Sequence, residues 1–331
     1  MKFLKDYIIV FALILLFMSC SSTSKKQSGA EKATETSVVN IVMDFNADSA
    51  YKFVKAQTDF GPRVPNTESH SKTASYLAGE LKRLGTKVTV QATKLKTFDG
   101  TTINAKNIIG EINPDSSKRI LLLAHWDSRP WADNDPDLSK RKKPVMGAND
   151  GASGVGVILE LARLFKAKSP NIGIDILFVD AEDWGDSNSN YDTESTWALG
   201  TQYWIEHMHR DNYEPIYGIL LDMVGSKDAK FYKDYYSMEY APQITNTVWD
   251  IARDSGYADY FVNKDGGGIT DDHVFVNKAG IKCIDIIDQN SGSSNSGFCP
   301  QWHTTFDTMD NISTETLKAV GQTLTNLIYQ Y

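Results

Sequence analysis

The sequence is poor in cysteine, histidine and basic charge. The shortage of cysteine and the negative net charge each exclude a class of protein. Its 331 residues contain three cysteines and no C-x-x-C motif, which excludes a cysteine-based metal site. The net charge of −8 argues against nucleic acid or an anionic membrane surface as the main partner. No internal repeat is present, and 41% hydrophobic residues are enough for a sizeable core. The composition therefore predicts an acidic globular protein that does not bind nucleic acid.

The N-terminus differs in character from the rest of the chain. Residues 1–20, "MKFLKDYIIVFALILLFMSC", place lysines before an apolar run that ends at Cys20. This pattern is typical of a bacterial lipoprotein signal peptide with a lipidated cysteine, and an uncleaved membrane anchor is the alternative. Residues 21–43 begin with a polar run without aromatic residues and predict a disordered tether. We therefore expect an exported protein that is lipid-anchored to a bacterial membrane and faces the periplasm.

The remaining residues, 44–331, predict a single α/β domain. Near-continuous apolar runs such as "RILLLAHWD" and "IDILFVDAED" alternate with amphipathic helical segments. Strands of this kind are typical of a parallel sheet that is covered on both faces. We expect a three-layer sandwich with a mixed, largely parallel central sheet flanked by helices. Cys283 and Cys299 then form either a disulfide, which export permits, or two buried thiols.

Acidic residues follow several of these predicted strands. The stretch "VDAEDWGDS" places Glu182 and Asp183 directly after one strand, "RILLLAHWD" leads to His125, and "YGILLDMVG" ends near Asp222. Asp150 precedes a helix in "GANDGASG". A solvated loop would explain one acidic stretch, but ligands in open α/β sheets bind at the carboxyl ends of the strands. Converging carboxylates and a histidine predict a divalent cation at this edge.

Two of the six histidines lie in contexts that favour function. His273 follows two aspartates in "ITDDHVF", and His303 lies in "PQWHTTFDTMDN". His70, His207 and His209 lie in helical segments with polar neighbours, so we expect them at the surface.

At these residues the chain resembles the zinc aminopeptidase superfamily and, within it, the glutaminyl-peptide cyclotransferases (glutaminyl cyclases). The resemblance covers residues 44–331 in family order and rests on six stretches: "HWDS", "GANDGASGVGVILELAR", "VDAEDWGDS", "LLDMVG", "TDDHVF" and "WHTTFDT". It implies a zinc-exopeptidase-like fold.

The resemblance also implies a metal site. Asp150, Asp183 and His303 would bind one catalytic zinc per chain. In two-zinc aminopeptidases, His125 and Asp222 also hold metal, and Asp150 bridges the two ions. Asp183 departs from the family pattern, which usually has glutamate at this position, so this ligand is one methylene shorter.

The same resemblance assigns roles around the metal. Glu182 would be the general acid/base, and Asp222 and Asp271 would be catalytic acids beside the substrate amine. Trp302 would form a wall of the substrate pocket, with His125 as a hydrogen-bonding neighbour of the substrate site. The loops "SRPWADNDPDLSKRKKPVMGAND" and "QNSGSSNSGFCPQ" are expected to shape the mouth of the pocket.

Two enzymatic functions agree with these residues. A glutaminyl cyclase converts the N-terminal glutamine of peptides or proteins to pyroglutamate and releases ammonia, with zinc as Lewis acid. A zinc aminopeptidase uses the same residues to remove N-terminal residues, with Glu182 as the base for a zinc-bound water. Trp302 favours the cyclase, since an indole can pack on a glutaminyl side chain. A solute-binding lipoprotein without catalysis would lack Glu182 or a metal ligand, and the chain has both.

Overall fold

The computed structural model describes residues 43–187, 193–289 and 293–331. Its longer helices are α1 (Ala47–Thr58), α2 (Glu68–Arg83), α3 (Ala152–Ala167), α4 (Leu199–Glu206), α6 (Pro242–Asp254) and α8 (Thr314–Ile328), and its shorter ones are α5 (Tyr235–Tyr240) and α7 (Asp272–Lys278). The strands are β1 (Lys87–Lys96), β2 (Thr102–Ile112), β3 (Arg119–His125), β4 (Gly173–Val179), β5 (Gly218–Asp222), β6 (Phe231–Lys233), β7 (Phe261–Asp265) and β8 (Cys283–Ile287).

Six of these strands form a mixed sheet in the order β1-β2-β4-β3-β5-β8. The four strands from β4 to β8 are parallel, whereas β1 and β2 pair antiparallel at one edge. Every residue of β3, β4, β5 and β8 is buried, which is why these strands are mostly apolar, with single buried charged or polar residues such as Asp175 and Asp222 among them. The predicted mixed, largely parallel sheet is confirmed.

Helices cover both faces of this sheet. Alternate strand residues such as Leu122 and Ile176 pack in one core with α1, α3 and α8. Their neighbours Leu123 and Leu177 point to the opposite face, where α4 and α7 supply Trp204 and Val276. The predicted three-layer sandwich is therefore confirmed, and its parallel strands all direct their carboxyl ends to one edge of the sheet.

The interpretation of the N-terminal segment remains a prediction. The predicted signal peptide, residues 1–20, and the predicted tether up to residue 42 lie outside the described residues. Within the described part of the chain, no helix is both long and apolar enough to cross a membrane. Cys283 and Cys299 are two buried free thiols, which decides between the two alternatives for this pair.

Candidate active site

The carboxyl ends of β3, β4 and β5 open on a cavity of about 420 Å³. A cavity of this size suits a small-molecule or side-chain ligand. The predicted site residues that line it are Asp150, Glu182, Asp183, Asp222, Asp271, Trp302 and His303. His125, the last residue of β3, lies beneath them and contacts both Asp150 and Asp222. The structure thus brings together the eight residues to which the resemblance assigns roles at the site.

Asp150, Asp183 and His303 form a compact group of metal-ligand type. All three are buried, and one ligand atom from each lies within 4.8 Å of the others. His303 Nε2 is 3.1 Å from Asp183 Oδ1 and 3.7 Å from Asp150 Oδ2. Neither oxygen of Asp183 accepts a hydrogen bond within the described residues. Buried carboxylate oxygens without donors are costly, and two carboxylates with one imidazole are a ligand set that fits zinc.

A second group shares Asp150 with the first. His125 Nε2 lies 2.9 Å from Asp150 Oδ1 and 3.1 Å from Asp222 Oδ1, and the three residues again meet the spacing of a metal site. His125 Nδ1 is 3.4 Å from Asp127 Oδ1. The imidazole of His125 therefore occupies the space between two carboxylates.

Carboxylates below the cavity hold the backbone of two ligand loops. Asp127 accepts from the backbone N–H groups of Glu182 and Asp183, each at 3.2 Å. Asp307 does the same for Asn149 and Asp150, at 2.8 and 3.1 Å. These bonds fix the loops from below and leave the side chains of Asp150 and Asp183 directed at the cavity.

Backbone geometry at the site is unusual for the residue types present. Ala181 and His303 have φ angles of 56° and 54°, in the left-handed region that non-glycine residues seldom adopt. At Gly151 a Cβ atom would lie 2.2 Å from His125 Nε2, so only glycine fits against this imidazole. Such conformations cost free energy and are concentrated at functional sites.

Glu182, Asp222 and Asp271 in the cavity bind protons more tightly than usual, and burial also raises the pKa of Asp183. Burial raises the pKa of Glu182 well above its ordinary value. The positive charge of His125 opposes this shift, and the negative charge of Asp183 adds to it. Burial also raises the pKa of Asp222 to about 6 and that of Asp271 to about 7. A carboxyl group whose pKa lies near neutrality is suited to proton transfer.

Part of the cavity wall is aromatic. Trp302 stacks on the ring of His303, with centroids 3.8 Å apart, and Phe298 packs on Trp302 at 4.5 Å. Ser296, Gly297 and Phe298 line the cavity, so the predicted role of the "QNSGSSNSGFCPQ" loop at its mouth agrees with the described part of that loop.

Sequence analysis missed several residues of the site. Trp197 lines the cavity and lies parallel to His303 with centroids 6.2 Å apart, and Gln289, which the sequence placed only within the loop at the pocket mouth, lines it as well. Arg129 and Asp133 lie directly behind Asp183 and His303. Trp197 follows the acid pair by more than a dozen residues and lies outside every stretch that carries the family resemblance. Arg129 and Asp133 lie in "RPWAD", within the loop expected to shape the mouth of the pocket, and no pattern there indicates support for metal ligands.

The surface prediction for the other histidines is correct for His207 and wrong for two. His207 is exposed. His70 is fully buried, with Nε2 2.9 Å from Asp180, and stacks on Trp126. The side chain of His209 is only 3% exposed and its Nε2 is 3.5 Å from an oxygen of Asp175. Polar neighbours in the sequence did not reveal these buried acids, which come from distant strands.

His273 also has a buried acidic partner. Its Nε2 lies 3.0 Å from Asp234, and it does not line the cavity. The histidine is therefore part of the support behind Asp271.

The sheet and its acid-lined edge define an α/β metal enzyme of the zinc-exopeptidase class. The model of Peptidase family M28 matches residues 107–328, and the chain belongs to this family.

Solved structures and a curated relative extend the likeness. A glutaminyl cyclase from Bacteroides thetaiotaomicron, solved with N-acetylhistamine, is 51% identical, with a TM-score of 0.85 over 87% of this chain and 99% of that one. A Zn-dependent exopeptidase from Parabacteroides distasonis ATCC 8503 is 52% identical, with a TM-score of 0.85 over 88% of this chain and 100% of that one. Aminopeptidase YwaD of Bacillus subtilis (strain 168) is 27% identical over 280 residues, 81% of this chain. The chain spans about half the length of the first curated relatives that it matches.

Proposed function

We propose that the chain is a zinc-dependent glutaminyl-peptide cyclotransferase. One observation carries this proposal: a metal-ligand triad, a proton-binding glutamate and two further acids line a single cavity beside Trp302. The 51% identity to a glutaminyl cyclase over almost its whole length supports the same activity. The substrates would be peptides or proteins that begin with glutamine.

The reaction joins two groups of the same glutamine residue. The α-amine attacks the side-chain carbonyl carbon, the bond from that carbon to the amide nitrogen breaks, and ammonia leaves. Zinc held by Asp150, Asp183 and His303 would supply Lewis-acid polarisation of the carbonyl. Asp222 and Asp271 would hold the α-amine in position. Glu182 would take a proton from that amine and return it to the departing nitrogen.

The elevated pKa of Glu182 suits this double task. A base that is too weak cannot accept the amine proton, and an acid that is too weak cannot release it again. Burial raises the pKa of the Glu182 carboxyl, which makes it a stronger base for the amine proton. Such acid–base participation contributes about 10²–10⁴-fold to the rate. Trp302 would cover the apolar stem of the glutamine side chain.

We further propose one zinc per chain. His125 fills the space between Asp150 and Asp222, with contacts of 2.9 and 3.1 Å. The single Nε2–H of this imidazole, shared between the two carboxylates, would occupy the position of a second ion. The substrate carries its own nucleophile, so no metal is needed to generate one.

An aminopeptidase is the second candidate function. The group of His125, Asp150 and Asp222 has metal-site spacing, and the 27% identity to Aminopeptidase YwaD favours it. With two zinc ions bound, Glu182 would be the base for an attacking water. The number of metal ions and the product therefore separate the two functions.

The proposal for the localisation rests on the sequence of residues 1–20 alone. We propose that Cys20 is lipidated and that the enzyme is anchored to a bacterial membrane facing the periplasm. Detergent-phase partitioning of the expressed protein tests this. Cys20→Ser should shift the protein to the aqueous phase, and equal partitioning of both forms would contradict the anchor.

One experiment tests the catalytic proposal. Purified protein is incubated with a Gln-initiated and with a Leu-initiated peptide, and ammonia, free amine and free amino acids are measured beside the zinc content. A cyclase releases ammonia from the first peptide, leaves every peptide bond intact and holds one zinc. Two zinc ions with release of free N-terminal residues would establish the peptidase instead.

A further inference from the structure

Arg129, which lies beyond the end of β3, is completely buried behind the metal-ligand triad. A buried guanidinium is costly unless its donors are satisfied. Nη1 donates to the backbone carbonyls of Asp183 and Gly185, each at 3.0 Å, and Nη2 donates to Ser187 Oγ at 3.0 Å. Arg129 therefore fastens the loop that carries Asp183.

The same guanidinium also holds Asp133. Arg129 Nε and Nη2 lie 3.3 and 2.7 Å from the two oxygens of this carboxylate. Asp133 Oδ1 in turn lies 3.3 Å from Nδ1 of His303. The attraction of this carboxylate for Nδ1, which makes no hydrogen bond of good geometry within the described residues, favours the orientation that turns Nε2 towards the metal position, an arrangement common among metal-binding histidines.

Two indoles restrict the guanidinium itself. The Arg129 Cζ atom lies 4.9 Å from the ring centre of Trp131 and 4.8 Å from that of Trp197. Planar stacking with both rings suits arginine and not lysine. Arg129 is thus held in one orientation from which it reaches two ligands.

Fixing the backbone matters at Asp183 because its side chain is short. A single methylene lets the carboxylate move little relative to its Cα atom, and neither oxygen accepts a hydrogen bond that would orient it. Asp127 holds the backbone N–H of Asp183 at 3.2 Å, and Arg129 holds its carbonyl. The position of this ligand is therefore set by its backbone.

We propose that Arg129 is a positioning residue that, together with Asp133, fixes Asp183 and His303 relative to each other and so preorganises the zinc site. The inference rests on the proposed zinc-dependent function. The charge of Arg129 has an opposing effect on zinc binding. Its Nη1 lies 3.5 Å from Asp183 Oδ1, and a positive charge at that distance repels a cation. Loss of that charge alone would strengthen zinc binding, whereas loss of positioning would weaken it.

Zinc affinity of the purified protein, measured by chelator competition, separates these two effects. Arg129→Met removes the charge and the donors, and Arg129→Lys keeps the charge but removes the planar fork. Both variants should bind zinc about 10–100-fold more weakly, the loss typical of residues that support metal ligands. Asp133→Asn, which keeps the shape of the side chain, should show about a 10-fold loss and carries the test if an Arg129 variant does not fold.

Arg119→Lys is the matched control. Arg119 is likewise buried, donates to both oxygens of Asp175 at 2.7 and 2.6 Å and binds backbone carbonyls, but at the opposite end of β3. This variant should melt at a lower temperature and keep wild-type zinc affinity. Zinc binding at wild-type strength or tighter in Arg129→Met and Asp133→Asn would overturn the proposal, as would an equal loss in Arg119→Lys. A wild-type protein that binds zinc but releases no ammonia would refute only the proposed activity.

Discussion

Two clusters of two carboxylates and one histidine lie at opposite ends of the parallel strands. Glu111, Asp175 and His209 meet near the amino ends, and a second cluster near the carboxyl ends consists of Asp150, Asp183 and His303. Both have the spacing of a metal site. The residue types and distances alone therefore do not distinguish them.

Their surroundings differ completely. Arg119 binds both oxygens of Asp175, which also accepts from the hydroxyl of Tyr213. Arg210 and Lys87 lie 2.7 and 2.8 Å from the oxygens of Glu111. The first cluster thus contains its own cations, and these stabilise the folded chain.

The second cluster has much less compensation. The basic groups beside Asp183 Oδ1 are His303 Nε2 at 3.1 Å, itself a proposed metal ligand, and Arg129 Nη1 at 3.5 Å, and neither Asp183 oxygen has a hydrogen-bond partner within the described residues. Charge that the fold leaves uncompensated is charge that a bound ion can neutralise. The comparison teaches that the partners of a cluster, and not its composition, separate a structural site from a binding site.

The largest expected difference between variants at the two ends of the parallel strands is in turnover. Glu182→Gln removes the group that carries the proton and should lower kcat by about 10²–10⁴-fold. Zinc content and melting temperature should stay near those of the wild type. Steady-state kinetics on a Gln-initiated peptide, with metal analysis of the same sample, provide the measurement.

Glu111→Gln is the control for this variant at the opposite end. It weakens the contacts with Arg210 and Lys87 and should lower stability while kcat is preserved. Near-wild-type turnover in Glu182→Gln would remove Glu182 from the reaction.

A pair of histidine variants tests which cluster binds metal. His303→Ala deletes a ligand and should weaken zinc binding by more than the 10–100-fold typical of supporting residues, so that activity depends on added zinc. His209→Ala should leave zinc content unchanged, because its cluster is neutralised by arginine and lysine. Zinc retained by His303→Ala after dialysis, or lost from His209→Ala, would reverse the assignment.

Removal of a carboxylate should change the free energy of unfolding in opposite directions at the two ends of the parallel strands. Asp175→Asn removes the charge that is paired with the buried guanidinium of Arg119. This should lower the free energy of unfolding by about 3–5 kcal/mol. Asp183→Asn removes a carboxylate whose pKa is raised by burial and by the charge of Asp150, so the zinc-free protein should be as stable as the wild type or more stable, although zinc binding is lost. Denaturant unfolding of both proteins without metal gives the values. A loss of stability in zinc-free Asp183→Asn comparable to that in Asp175→Asn would contradict the comparison.

What the sequence predicts divides in the same way, into the groups that are present and the contacts that compensate their charge. Apolar strands and helical periodicity predicted the layers and the parallel strands, and the strand-end rule brought His125, Glu182 and Asp222 to one edge. The compensating contacts were not predictable, because Arg119, Glu111 and His209 come from different elements and meet only through the strand register. The same holds for Arg129 and Asp133, whose loop carries no periodic pattern. Local motifs specify which groups are present, and tertiary pairing decides what neutralises them.

The smallest expected effect is on the pH dependence of stability, where the two ends again act in opposite directions. Despite burial, which raises it, His209 and Arg119 lower the pKa of Asp175 to about 2, below the ordinary 3.8. The unfolded chain binds this proton more readily, so the stabilisation is present above about pH 4 and is lost as the pH falls towards 2. The difference corresponds to about 2 kcal/mol.

At the carboxyl ends the sign is reversed. Burial raises the pKa of Asp222 to about 6 and that of Asp271 to about 7, so the folded chain holds these protons more tightly than the unfolded chain. The zinc-free protein should therefore lose stability as the pH rises from about 4 to 7. Zinc should oppose this loss, because its charge favours the ionised acids, and Asp271→Asn should reduce the slope without metal. Thermal unfolding across this range, with and without zinc, measures both slopes. A zinc-free protein that becomes more stable between about pH 5 and 7 would show that the acids at this edge are already compensated within the fold.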